Sequence, residues 1–235
     1  MLFYKEIVPL DKNNHAALRV APVTDFGFAR DTVVIPLAAI EFAHAAREYP
    51  IAFVRDEHGA VSSVAVVGLR EGENLFIDDK GLWKGAYLPA YLRRYPFVLG
   101  TLTGKKDPVI CIDMAYEGIG KAEGEPLFDS AGNPSSYLQG QMELAADFEA
   151  QVRLTGSMIG LLEEYDLLKP VSVKVETSSG SLALNGLEVV DEDRLQGLEA
   201  DQVQKLFEQG FLLALYAHLI SQGNFKALPA LIPAE

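Results

Sequence analysis

A single cysteine, Cys111, stands in this chain of 235 residues. No internal disulfide can form, so the cysteine content carries no sign of an oxidising compartment. Cys111 lies between Ile110 and Ile112. A thiol inside an apolar run reads as an inert core residue rather than a nucleophile. Basic charge is also scarce: 20 Lys and Arg stand against 33 Asp and Glu, a net charge of −13. Nucleic acid is therefore not an expected partner, because phosphate binding needs a basic face. Self-repulsion that favours solubility is the plainest reading of the excess acid. No apolar run approaches the roughly 20 residues of a membrane span. The start, Met1–Leu2–Phe3–Tyr4–Lys5–Glu6, shows no basic segment followed by a long apolar one, so no cleaved signal peptide is expected. The expectation is a cytoplasmic protein, with export by a signal-independent route left open.

Histidine is as thin. His15, His44, His58 and His218 are far apart and form no HxxxH pair, so no metal site is expected. His58 falls in a turn and reads as solvated; His218, two residues after Tyr216, reads as surface or half-buried. Gly100–Thr101–Leu102–Thr103–Gly104–Lys105–Lys106 is one residue short of a phosphate loop, and Lys106 stands where Ser or Thr should meet magnesium. Gly118–Ile119–Gly120–Lys121–Ala122–Glu123–Gly124 has the wrong last spacing for a dinucleotide loop, and no long helix follows. Ser157 lacks the glycine spacing of a nucleophile elbow. Asp78–Asp79 reads as a turn pair before Gly81, too few ligands for a cation. No cofactor is expected.

What is there suits a globular core: 49% hydrophobic and 23% charged residues. Ala17–Val20 and Val33–Ile35 read as strands, and Leu37–Arg47 as a short helix stopped by Pro50. Ile51–Arg55 and Val61–Val67 flank a polar loop with Gly59, a hairpin signal, and Leu75–Ile77 reads as a third strand of a meander. Phe97–Leu99 and Val109–Ile112 are strands separated by the turn Gly104–Lys105–Lys106–Asp107–Pro108. Residues 117–136 shift to Gly, Glu, Pro, Ser and Asn, a loop and the best place for a subdomain hinge in a single domain spanning 1–235. Leu144, Phe148, Val152, Ile159, Leu162 and Tyr165 predict an amphipathic helix of about six turns, closed by Pro170, with Phe148 and Val152 facing the core. Val171–Val175, the turn Ser178–Ser179–Gly180, then Leu182–Leu184 and Leu187–Val190 predict a hairpin or three-stranded meander. Val203, Leu206, Phe207, Phe211, Leu215 and Leu219 outline a C-terminal helix stopped by Gly223. The fold class is α+β: antiparallel hairpins and meanders packed with two long amphipathic helices.

The densest stretch is Gly81–Phe97, which holds the only tryptophan, three tyrosines, two prolines and the pair Arg93–Arg94. Pro89 is a good helix start and Pro96 disfavours helix at Tyr95, so a two-turn helix over 89–94 is predicted. Trp83, Tyr87, Tyr91 and Tyr95 recur every four residues, but Pro89 prevents one continuous helical face. The simplest role is a packed aromatic corner, since such rings dominate core energetics. Adjacent helical arginines point about 100° apart and cannot share a role. One is expected to pair a carboxylate such as Asp78, Asp79 or Asp113, and the other to reach outward as a recognition residue.

The chain resembles the bacterial SapC family over almost its whole length. The matching features are His15 with Leu18, Glu41–Phe42, Tyr49–Pro50–Ile51–Ala52–Phe53, Gly68–Leu69 and Asn74–Leu75–Phe76–Ile77. They continue through Gly81–Leu82–Trp83, Tyr87–Leu88–Pro89–Ala90 and Arg93–Arg94–Tyr95–Pro96–Phe97. Leu127–Phe128–Asp129, Leu187–Leu195 and Tyr216–Ala217–His218–Leu219 complete the set. The resemblance implies an association with bacterial surface-layer systems, and with genomic neighbours such as outer-membrane receptors and flavin-dependent tryptophan halogenases. It carries over no catalytic residue.

The leading expectation is a non-catalytic accessory protein of a bacterial surface-layer or outer-membrane uptake system, acting through the aromatic and arginine surface on a protein partner. The alternative is a module for a small organic ligand. Trp83, Tyr87 and Arg93 or Arg94 would line its pocket, with Asn74 or Asp78 opposite, because aromatic walls with a few convergent polar groups build such sites. A third reading is an enzyme whose site is assembled from distant residues.

Overall fold

The computed structural model describes residues 2–102, 104, 107–177 and 180–232. The Lys105–Lys106 part of the expected turn, the end of the rejected phosphate loop, and Ser178–Ser179 lie outside them. In chain order the strands and helices are β1 (Ile7–Pro9), β2 (Arg19–Val20), β3 (Val34–Pro36), α1 (Phe42–Ala45), β4 (Ile51–Arg55), β5 (Val61–Val66) and α2 (Ala90–Arg93). Then follow β6 (Phe97–Gly100), β7 (Val109–Asp113), β8 (Glu125–Pro126), α3 (Ser136–Glu164), β9 (Leu168–Thr177), β10 (Gly180–Val190), α4 (Glu192–Gln196), α5 (Ala200–Glu208) and α6 (Leu212–Ser221). All strand pairings are antiparallel, and helices and sheets mix without βα alternation: the fold is α+β.

The chain divides into two compact units. The first comprises residues 1–26 and 91–150, with a three-stranded sheet ordered β1-β7-β6 and the pair β2-β8. Its core is Val20, Phe97, Ile112, Leu127 and Leu138. Residues 117–136 lie wholly within it. Cys111 is buried in β7, and burial pushes its thiol above the usual range, as an inert core thiol requires.

The second unit comprises residues 27–90 and 151–235. Its sheet runs β3-β5-β4-β10-β9, so the expected β4–β5 hairpin forms, with Gly59 in its turn. Leu75–Ile77 does not join as a third strand. The outer edge of β5, which a third strand would need, pairs with β3, the other edge of β4 pairs with β10, and Ile77 makes only an isolated bridge to Trp83. Asn74 fixes this departure: its Nδ2 donates to the Ala29 carbonyl (3.1 Å) and its Oδ1 accepts the Phe76 N–H (3.0 Å). The predicted Leu37–Arg47 helix is a 3-10 turn over Ala39–Glu41 followed by α1.

Helix α3 has 29 residues, longer than predicted, because Ser135 caps it: its Oγ accepts the Leu138 N–H at 3.2 Å. It ends at Asp166, which adopts φ +53°, so Pro170 lies within β9 rather than closing the helix. Phe148 is buried, as expected, but Val152 is 41% exposed. The buried line steps from Phe148 to Thr155, then Ile159 and Leu162. Residues seven apart stay nearly aligned on a helix, while Val152 is rotated about 40° off Phe148.

The C-terminal helix predicted over 203–219 is broken in two. Gly210 adopts φ +75°, and the Phe211 N–H returns to the Leu206 carbonyl at 2.9 Å, a glycine C-cap that ends α5 and lets α6 start in a new direction. His218 is fully buried on α6 rather than at the surface. Its Nε2 accepts the Val190 N–H at 3.0 Å, its ring lies against Phe53, and burial pushes its pKa down to about 4. The residues after it fasten α6 to the start of β4. Ser221 Oγ accepts from the Ile51 N–H, and Asn224 Nδ2 donates to the Ala46 and Tyr49 carbonyls.

Candidate functional site

Two carboxylates shape the loop that carries Trp83 and Tyr87. Glu48 accepts the Ala86 and Tyr87 N–H groups (2.7 and 2.8 Å), one on each oxygen. Glu41, buried, accepts the Ala38 N–H on one oxygen, and the Tyr87 hydroxyl (2.8 Å) and Ala90 N–H (2.7 Å) on the other. The Tyr87 carbonyl accepts from both Tyr49 Oη and Trp83 Nε1. Gly85 permits this closeness: a Cβ there would stand 2.3 Å from Tyr49 Oη. Trp83 stacks on Phe76 at 5.8 Å, Tyr87 stacks on His44 at 5.6 Å, and both are half-buried. Asp78 closes the preceding turn, its Oδ1 accepting from the Lys80 and Leu82 N–H groups. Asn74 and Asp78 thus serve backbone groups, Asn74 those of Ala29 and Phe76 and Asp78 those of its own turn.

Arg93 and Arg94 diverge as the helix geometry requires. Arg93 is exposed, whereas Arg94 is 3% exposed. The Arg94 guanidinium lies over Phe148 (4.4 Å) and Tyr91 (4.6 Å), with Tyr4 at 5.7 Å. Its carboxylate partner is Glu149, at 3.2 Å, and not Asp78, Asp79 or Asp113. Asp113 instead accepts the N–H groups of Lys5, Glu6 and Ala115, and the Tyr95 hydroxyl at 3.4 Å. Burial holds the Tyr4, Tyr91 and Tyr95 hydroxyls above their usual range. The aromatic block is thus divided: Trp83 and Tyr87 belong to the second unit, Tyr91, Arg93, Arg94 and Tyr95 to the first.

A surface that sequence reasoning missed lies on the second unit. Helix α6 buries Ala214, Leu215, Ala217, His218 and Ser221, yet also exposes Leu213 (69%), Tyr216 and Ile220 (73%), at steps of three and four. Leu213 shares a cleft of about 190 Å³ with Ile40, Ala43, Leu154, Gly210 and Phe211. Ile40 and Leu154 are themselves exposed, and α5 adds Phe207 at 71%. Single exposed apolar residues are ordinary, but a clustered set rimming a cleft marks an interaction surface. The signal was present in the sequence: Leu212–Ser221 holds no acidic or basic residue apart from His218. A helix apolar all round reads as buried, and the stripe that outlines the predicted C-terminal helix runs through Phe211, Leu215 and Leu219 instead of Leu213, Tyr216 and Ile220. Among the described residues, no three His, Cys, Asp or Glu gather to hold a metal, and no helix is long and apolar enough to cross a membrane.

The family model for SapC matches residues 10–228, nearly the whole chain. No curated protein and no solved structure matches it.

Proposed function

This chain belongs to the SapC family, and on that premise we propose that it is a non-catalytic accessory protein of a bacterial surface-layer or outer-membrane uptake system that docks a protein partner. The observation that supports the reading is the uncharged stripe Leu213, Tyr216 and Ile220 beside the cleft with Ile40 and Leu154. Burying such side chains against a partner removes apolar surface from water, at about 25 cal/mol per Å². Exposed Arg93 and the half-buried Trp83 and Tyr87 are the parts of the aromatic block able to meet a partner. With a chain charge of −13, a partner with a basic rim would meet this protein fastest at low salt.

The test places a photo-crosslinking phenylalanine analogue at Leu213 or Ile220, with Lys174 on β9 as a control, in the host cell. The expected result is one discrete protein adduct from both α6 positions and none from Lys174. Absence of an α6-specific adduct would overturn the reading. An adduct of the mass of a second copy would replace it with self-association.

A further inference from the structure

We propose that the first unit holds a separate binding site for a small apolar carboxylate, independent of the docking face on α6. A cavity of about 620 Å³ lies within that unit, in the range of small-molecule sites. Four segments build it. The chain leaving β1 gives Leu10, Asp11 and Lys12; the segment after β6 gives Leu102; β7 gives Val109 and Ile110; and the loop into α3 with that helix's first turns gives Phe128, Leu138 and Met142. The walls are mostly hydrocarbon, so the ligand's body must be apolar.

The few polar groups at the rim select its head. Asp11 already accepts three bonds, from the Asn13 N–H and Nδ2 on Oδ1 and from Asn14 Nδ2 on Oδ2. Asn133 gives its Nδ2 to Asp129. The Lys12 side chain runs over Gly132, 3.7 Å from where a Cβ would stand. Among the described residues nothing accepts from its ammonium. The rim therefore offers an uncommitted cationic donor, while its carboxylate is engaged by local amides. A ligand acceptor with negative charge matches that donor, since charge-assisted hydrogen bonds are the strong ones. A cationic head would face an ammonium and would have to share Asp11 with the three amide bonds it already accepts. The site thus takes an anionic head at Lys12 and a hydrocarbon body against Leu10, Ile110, Leu138 and Met142.

Calorimetric titration of the full chain with decanoate, 1-decanol and decyltrimethylammonium tests this, each below its micelle concentration. Decanoate should bind at one site, more tightly than decanol and far more tightly than the ammonium. Lys12→Ala should weaken decanoate about tenfold, roughly 1.4 kcal/mol, and leave decanol within about twofold. Met142→Trp, or Leu102→Trp at another lining residue, should fill the cavity and weaken both ligands more than tenfold; unchanged near-ultraviolet dichroism shows that each variant folds. Leu213→Asp should leave decanoate binding intact, which separates this site from the docking face. Equal binding of decanoate and decanol, unchanged by Lys12→Ala, would overturn the anionic head. No binding, or binding indifferent to both tryptophan variants, would overturn the site.

Discussion

Glu41 and Arg94 are both buried charges, one in each unit, and they are accommodated in opposite ways. The carboxylate is surrounded by hydrogen bonds: two backbone N–H groups and a tyrosine hydroxyl converge on it at 2.7–2.9 Å. The guanidinium is surrounded by ring faces, with a single carboxylate bond at 3.2 Å and its Nε left without a partner. An anion concentrates charge on two oxygens and needs donors. A guanidinium spreads its charge over a plane that aromatic faces can cover. The loop at Glu41 is therefore held by specific directional bonds, and the corner at Arg94 by packing with a weaker directional component.

That contrast can be broken at either end. Glu41→Ala should be the most damaging single change, costing about 4–6 kcal/mol, because two buried N–H groups and the part-buried Tyr87 hydroxyl lose their acceptor at roughly 1–3 kcal/mol each. Urea denaturation measures it, and a loss below about 2 kcal/mol would mean that water replaces the carboxylate. Arg94→Ala should cost about 2–4 kcal/mol, from the space left between Tyr91 and Phe148 and the lost ring contacts more than from the ion pair, because Glu149 is 34% exposed. Arg94→Met should restore part of that, because a flexible apolar side chain can refill the space between Tyr91 and Phe148. If Met is no better than Ala, the directional bond to Glu149 outweighs the rings and the contrast fails.

A third buried group sharpens the point by titrating. His218 is held neutral, its pKa pushed down to about 4 by burial from an unfolded value near 6.5. The unfolded chain binds the extra proton between those values. The stabilisation is therefore complete above pH 6.5 and is lost as pH falls towards 4, by at most about 3 kcal/mol. His218→Gln should flatten this part of the stability–pH curve relative to the unmodified protein, and parallel curves would disprove the assignment. The smallest effect is expected at the neighbour of Arg94. Arg93→Ala should change stability by no more than about 0.5 kcal/mol, as exposed substitutions do. A loss above 1 kcal/mol would show that Arg93 is structural as well.

Local signals were legible wherever neighbours in sequence settle the structure. The β4–β5 hairpin, the β6–β7 pair and the burial of Cys111 follow from alternation, turn residues and an apolar context. The divergence of Arg93 from Arg94 follows from the 100° step of a helix. The identity of Arg94's partner does not, because Glu149 lies 55 positions further along the chain. Leu75–Ile77 misled because a short apolar run suits a strand, while the edge of β5 that it would have paired with was taken by β3, an earlier segment of the chain.

By itself the sequence determined the α+β class, the family, the acidic balance and most of its strand and helix runs, since periodicity and breakers act over a few residues. Tertiary structure decided which apolar side chains stay outside. Leu213 and Leu215 look alike in the sequence, yet one is 69% exposed and the other fully buried. Gly210 sets the direction of α6 and the sheet occupies one of its faces, so only packing could choose which leucine meets water.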